Sequence, residues 1–169
     1  MLDKFIYLRP ITYADCKNIY NWRKNPKIWK HTNFTWNKNI TLKLEKLFLK
    51  KSIQNEKNLK MAIIYFCKNK NIHIGNVQIT NIVKDQAVFH IFIGNIKFWK
   101  RGYGYIATKL FIQILEQNTK IRKLKLYVHK KNLPAIKLYK RIGFILTKSK
   151  LINESNLKNE NNFLEMTYH

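Results

Sequence analysis

Arg101-Gly102-Tyr103-Gly104-Tyr105-Ile106-Ala107 is the stretch on which the fold turns. It joins a run of strand character, Gln86–Ile93, to a helical run that repeats apolar residues at Ile106, Leu110, Ile114 and Leu115. Two closely spaced glycines let the backbone turn and aim its amides outward. A helix starting there leaves its first N–H groups unpaired at the positive end of the helix dipole. The product is a cradle for phosphate, to which Arg101 adds a full cation. A plain strand-to-helix turn would use the same residues. No Gly-Lys-Ser/Thr follows, so this is not a Walker loop. The third glycine of a Rossmann fingerprint is missing, and the strands before it read as hairpins.

Working outward, Lys123–His129 reads as a strand and Leu133–Ile142 as a helix ended by Gly143. Asn132 can cap that helix, Ala135 allows a close approach, and Tyr139 lies two turns along from Asn132. Upstream, Leu2–Arg9 reads as a first strand. Thr12 with Asp15 three residues on predicts a helix start, and Asn25-Pro26 stops that helix near Lys24. Trp29–Asn39 is expected as a loop. Thr41–Gln54 is a second helix with Leu44, Leu47, Phe48 and Leu49 on its buried side. Met61–Cys67 and His73–Ile82 are strands around a Lys68–Asn71 turn, and another turn falls near Lys84-Asp85. Gln86–Ile93 is apolar enough for burial on both faces. Phe144–Leu151 and Phe163–Tyr168 close the chain as strands, with a polar hairpin tip over Asn153–Asn162. The order β-α-α-β-β-β-α-β-α-β-β predicts an α+β fold: a single mixed, mostly antiparallel central sheet flanked by helices. One domain spans residues 1–169.

Composition narrows the function. The 169 residues are 46% hydrophobic, which excludes disorder as the main reading. Cys16 and Cys67 form no CxxC and no disulfide framework, which points to a reducing cytoplasm; no metal-ligand pattern is present. No apolar run approaches the ~18–20 residues that cross a bilayer, so no membrane role is expected. Lys and Arg number 33 against 9 Asp and Glu, a formal charge of +24. That surface concentrates anions and repels cationic substrates. The arginines are only Arg9, Arg23, Arg101, Arg122 and Arg141, and Lys, Asn and Ile are all abundant, a balance that AT-rich codons also produce. A basic nucleic-acid-binding module is a further reading, but it lacks a helix-turn-helix, RNA-binding signature or zinc pattern.

The cradle followed by Asn132-Leu133-Pro134-Ala135-Ile136-Lys137-Leu138-Tyr139-Lys140-Arg141-Ile142-Gly143-Phe144 resembles the GCN5-related N-acetyltransferase superfamily, whose element order fits nearly the whole chain. The resemblance implies acetyl-CoA as cofactor, its pantetheine arm in a gap between Gln86–Ile93 and Lys123–His129. Backbone groups of Ile91, Phe92 and Ile93 would pair with that arm, and amides of Arg101, Gly102, Tyr103, Gly104, Tyr105, Ile106 and Ala107 would hold the pyrophosphate. Asn132 and Ala135 would flank the cofactor. Tyr139 would point at its sulfur, as the general acid for the departing thiolate. Two departures stand out. Ile106 occupies a position that is usually Gly or Ala, and Val88 stands where many relatives carry a Glu. His90, on the same side of the strand, is the alternative base; His73 and His31 are weaker ones.

For the acceptor, Asn21-Trp22-Arg23-Lys24-Asn25-Pro26 followed by Trp29 resembles a segment of family members that acetylate nucleotide-linked sugars, the pseudaminic acid type included, and more loosely the ribosomal-protein acetylating branch. The resemblance implies direct acetyl transfer to the amino group of a UDP- or dTDP-linked amino sugar, for cell-surface or flagellar glycan synthesis. Trp22, Trp29 and Trp36 would stack on the acceptor, Arg23 would pair with its diphosphate, and Asn25 would complete the segment. A protein amino terminus is the alternative acceptor. The edge strands and terminal hairpin leave room for a homodimer.

Overall fold

The computed structural model describes residues 4–32, 39–148 and 162–169. Seven strands form one sheet in the order β1-β2-β3-β4-β5-β7-β6. They are β1 (Lys4–Pro10), β2 (Leu59–Cys67), β3 (Lys70–Val83), β4 (Gln86–Ile93), β5 (Lys123–His129), β6 (Ile145–Lys148) and β7 (Phe163–Tyr168). All neighbours run antiparallel except β4 and β5. The sheet is therefore mixed and mostly antiparallel, as the element order predicts. Lys68 and Asn69, both at positive φ, make a two-residue turn between β2 and β3, tighter than the four-residue turn expected. The expected hairpin tip falls almost wholly outside the described residues, as does Trp36.

Helices cover both faces. α1 (Cys16–Arg23), the single turn α2 (Pro26–Trp29) and α3 (Leu42–Gln54) lie on one; α4 (Tyr103–Asn118) and α5 (Leu133–Ile142) lie on the other. The alternation of β4 separates the two cores. Ala87 and Phe89 join a cluster with Phe111, Leu115, Tyr139 and Phe144, whereas Phe92 packs against the Trp22 cluster on the opposite face. Each fully buried large side chain in these clusters contributes roughly 1.5–3 kcal/mol.

Two sequence expectations need correction. Asn25-Pro26 ends α1 but also starts α2: proline is tolerated in the first turn, and Asn25 caps that turn by accepting from the Lys27 N–H at 3.1 Å. In α3 the buried residues are Glu45 and Leu49, whereas Leu44, Leu47 and Phe48 are 44%, 49% and 51% exposed. Arg23 turns the inward face of this helix: its guanidinium pairs with Glu45 and draws that carboxylate beneath the helix.

Candidate active site

β4 and β5 pair only at Gln86–Lys123, Ala87–Leu124 and Val88–Lys125. Beyond Val88 the two strands part, β5 continuing against β7 and β4 against β3. A notch opens at mid-sheet. Its β4 wall follows from the hydrogen-bond alternation of antiparallel strands. Gly94 donates to the Ile74 carbonyl at 2.8 Å, so Phe92 and His90, in phase with Gly94, bond to β3. The N–H and C=O groups of Ile91 and Ile93 then face the side that β5 has vacated. The Ile93 carbonyl is already taken by the Trp99 indole, which donates to it at 2.7 Å. Phe92 departs from expectation: its backbone is engaged with Asn76 on β3, and its ring packs against Trp22 and Trp29.

The stretch expected to cradle phosphate opens α4. Gly102 is the N-cap at φ 79° and supplies no side-chain cap. The first helical bond from outside the element is Ile106 N–H to the Gly102 carbonyl, which leaves the amides of Tyr103, Gly104 and Tyr105 without helical acceptors. Arg101 is exposed, its guanidinium 6.0 Å from the Phe98 ring, and Arg141 of α5 lies 4.4 Å from the Tyr105 ring. Ile106 is 43% exposed, and Ala107 is fully buried in the core. Gly104 turns toward Leu138 of α5, so its small size serves helix packing.

On α5, Asn132 accepts from Ala135 N–H at 3.4 Å and caps the helix, as its position predicts. Tyr139 is 9% exposed and lies beside Phe89 and Phe144. Its hydroxyl makes no hydrogen bond to a described residue, and burial pushes its pKa up, which keeps the phenol protonated.

His90 and Val88 share the opposite face of β4. The His90 Nε2 lies 2.9 Å from Thr80 Oγ1, and desolvation lowers its pKa to about 4 although the residue keeps an exposed edge. At neutral pH it is therefore a neutral imidazole, the form that accepts a proton. His73 is buried: its Nδ1 lies 3.2 Å from Asp15, which Arg9 clamps with two bonds of 2.7 Å. That network ties β1, α1 and β3 together. His31 lies against His129, ring centroids 5.5 Å apart, at the far end of β5.

The segment expected to meet the acceptor is brought to this same face, with its side chains engaged inside the protein. Trp22 is 8% exposed, its ring beside His73 and Phe92, and a side chain on Gly94 would collide with it. It buttresses β4 rather than presenting a stacking face. The Arg23 fork is held by Glu45, and Asn25 caps α2. Trp29 is half-buried, donates to the Trp22 carbonyl at 2.9 Å and packs on Phe92. Sequence reading missed Trp99, Glu45 and a hollow of about 210 Å³ beneath α3, lined by Arg23, Glu45, Ser52, Lys60, Gln78 and Thr80 among others. The composition held one signal for Glu45: acids are so few that each inward one needs a cation.

The family described as acetyltransferase (GNAT) domain matches residues 6–145. An uncharacterized protein of Methanocaldococcus jannaschii is 28% identical over 153 residues, 90% of this chain but only 30% of that protein, so the chain spans under a third of that relative. Acetyltransferase PseH of Campylobacter jejuni is 30% identical over 129 residues, 76% of this chain and 75% of PseH. The crystal structure of a domain from Methanocaldococcus jannaschii superposes with a TM-score of 0.80 at 22% identity, covering 98% of this chain and 99% of that one. Spermidine N-acetyltransferase from Vibrio cholerae, in complex with CoA and spermine, superposes with a TM-score of 0.81 at 18% identity over 96% and 94% of the two chains. At these identities the two structures carry the fold. Among the described residues no helix is long and apolar enough to cross a membrane.

Proposed function

The chain belongs to the GNAT acetyltransferase family, and from that premise we propose that this N-acetyltransferase delivers the acetyl group of acetyl-CoA to the amino group of a nucleotide-linked amino sugar. The residues present suit the family's cofactor. Gly102 leaves three amides open at a helix start, and the notch leaves the Ile91 N–H and C=O and the Ile93 N–H open beside it. Bound there, acetyl-CoA supplies an activated thioester.

The chain's own residues then divide the work between the two faces of β4. Tyr103, Gly104 and Tyr105 bind phosphate oxygens through their amides, with Arg101 alongside. Ile91 and Ile93 would hold the arm in register, and a backbone N–H at the notch would donate to the acyl oxygen. The acceptor amine would approach from the α1–α3 face, and the bound thioester would supply the acyl carbon it takes up and the thiolate that leaves. Tyr139, kept protonated by burial on the α5 face, would be the proton donor to the departing sulfur. The amine's proton leaves to solvent or to the neutral imidazole of His90. Fixing both partners in one notch makes the transfer effectively unimolecular, worth several kcal/mol.

One observation carries the choice of acceptor. Three carboxylates of the described residues are buried on the acceptor face: Asp15 and Glu45 are clamped by arginines, and Glu165 lies 3.7 Å from the Lys125 ammonium. Among the described residues each buried carboxylate of that face already has a cation of the chain beside it, which disfavours a polyamine or aminoglycoside, whereas the basic surface favours a dianionic nucleotide sugar. The 30% identity with PseH supports the same reading. Incubating the protein with acetyl-CoA and a panel of UDP- and dTDP-amino sugars, a spermidine sample and a peptide with a free amino terminus tests it by thiol release. Turnover on a sugar nucleotide is expected; turnover on the peptide or polyamine alone would overturn the assignment.

A further inference from the structure

The hollow beneath α3 has a chemistry that the acetyl-transfer machinery does not use. Its floor is the β2–β3 pair and its roof the inward side of α3. Arg23 and Glu45 cancel each other's charge there. Lys60 does not have such a partner: its ammonium makes no hydrogen bond or ion pair with a described residue. Desolvation and the nearby Arg23 hold its pKa below the ordinary lysine value, against a smaller opposing pull from Glu45. The side chains of Ser52 and Gln78 likewise have no partner among the described residues. A concave site with one uncompensated cation and unused hydrogen-bond donors is built for an anion.

Its position relates it to the notch. Lys60 stands opposite Gln78 on β3, and Gln78 stands opposite His90 on β4, so the three side chains form a row on one face of the sheet. Two strand spacings, ~10 Å, separate Lys60 from the strand that lines the notch.

We propose that this hollow is the acceptor's anion subsite, with Lys60 as its anchor: it takes a phosphate, diphosphate or carboxylate group while the acceptor's amine reaches along the Gln78–His90 row to the notch. The inference rests on the N-acetyltransferase reading and names the feature that selects the acceptor. A cavity of about 210 Å³ accommodates a diphosphate-sized group, not a whole nucleotide sugar; the sugar lies over the row and the nucleoside outside.

The test separates this subsite from the phosphate cradle by working on protein saturated with CoA. CoA binding is measured first by calorimetry; its absence would overturn the acetyltransferase site and the subsite together. Pyrophosphate and malonate are then titrated into the CoA complex of the wild type, Lys60→Met, Lys60→Arg and Gln78→Leu. Binding of either anion, weakened about tenfold or more by Lys60→Met and kept within about threefold by Lys60→Arg, is expected from the loss of one charged hydrogen bond. Tighter pyrophosphate identifies a phosphorylated acceptor, and tighter malonate a carboxylated one. In steady state Lys60→Met raises the acceptor KM and leaves the acetyl-CoA KM unchanged. Intact CoA binding with no anion binding, or with anion binding indifferent to both Lys60→Met and Gln78→Leu, would overturn the subsite and leave the acetyltransferase reading standing. If Lys60→Met does not fold, Gln78→Leu and Lys60→Arg decide the matter alone.

Discussion

Gly104 faces Leu138: a side-chain carbon on this glycine would stand 3.1 Å from Leu138 Cδ1, whereas one on Gly102 would meet nothing within 4 Å. The two glycines of the cradle are therefore small for different reasons. Gly102 is fixed by its backbone, at φ 79°, and Gly104 by the contact between α4 and α5.

This difference predicts opposite signatures. Gly102→Ala forces an L-residue into the left-handed region at a cost of about 1–2 kcal/mol. The cheapest relief is to rotate the peptide and misdirect the amides of Tyr103–Tyr105, so CoA affinity falls by roughly tenfold with little change in melting temperature. Gly104→Val overpacks against Leu138 and loses about 1–3 kcal/mol of stability, while the folded fraction keeps CoA affinity close to wild type. Calorimetric CoA titration beside thermal melts checks both. Equal effects of the two substitutions on CoA affinity would mean that Gly104 also faces the ligand.

Tyr139→Phe removes a hydroxyl that has no partner among the described residues, so the melting temperature should hold or rise. Loss of the general acid lowers kcat by about 100-fold, with the acetyl-CoA KM nearly unchanged. Steady-state kinetics decide it, and an unchanged kcat removes the acid role.

Much of this site could be read from the chain, and the failures share one cause. β4, β5, α5 and β7 begin and end where Gly94, Asn132, Gly143 and the apolar runs say they should, because local punctuation sets those ends. What sequence could not supply was the partner from elsewhere. The apolar spacing of α3 favours Leu44, Leu47 and Phe48 as its inward side, but Arg23, some 20 residues earlier, claims Glu45 instead. Trp22 looks like a stacking platform until the Gly94 backbone arrives against its ring. Phe92 looks like a cofactor contact until strand pairing gives its backbone to β3.

The His90 imidazole gives a pH signature. Its pKa is about 4 in the folded chain and about 6.5 when unfolded. Between these values the unfolded chain binds the proton and the folded chain does not, so stability falls as pH drops from about 6.5 towards 4. Above pH 6.5 His90 contributes no pH dependence. His90→Gln should keep a bond to Thr80 and flatten this part of the melting-temperature profile relative to wild type. If His90 also takes the amine's proton, the same substitution lowers kcat, yet the wild-type rate profile has no inflection near pH 6.5 from this group. A wild-type inflection near pH 6.5 that His90→Gln abolishes would contradict the lowered pKa.

Arg23 separates a structural from a substrate role. Its guanidinium engages Glu45, whose side chain is only 2% exposed, through Nε and through Nη2 at 3.0 Å. Removing one member of a buried pair leaves the other charged and unsolvated, a loss of about 3–5 kcal/mol, and the low end applies because the arginine is partly open to water. Arg23→Met should therefore lower stability sharply. Arg23→Met with Glu45→Leu should recover most of that loss, since no charge is then stranded and both replacements pack against Phe48 and Leu49. Denaturant unfolding of the two single variants and the double variant measures the coupling. The double variant also removes equal and opposite charges from the hollow, so the anion held by Lys60 should bind it within about threefold of wild type. A double variant that is stable but has lost pyrophosphate binding would place Arg23 on the ligand, with Glu45 holding its fork in position.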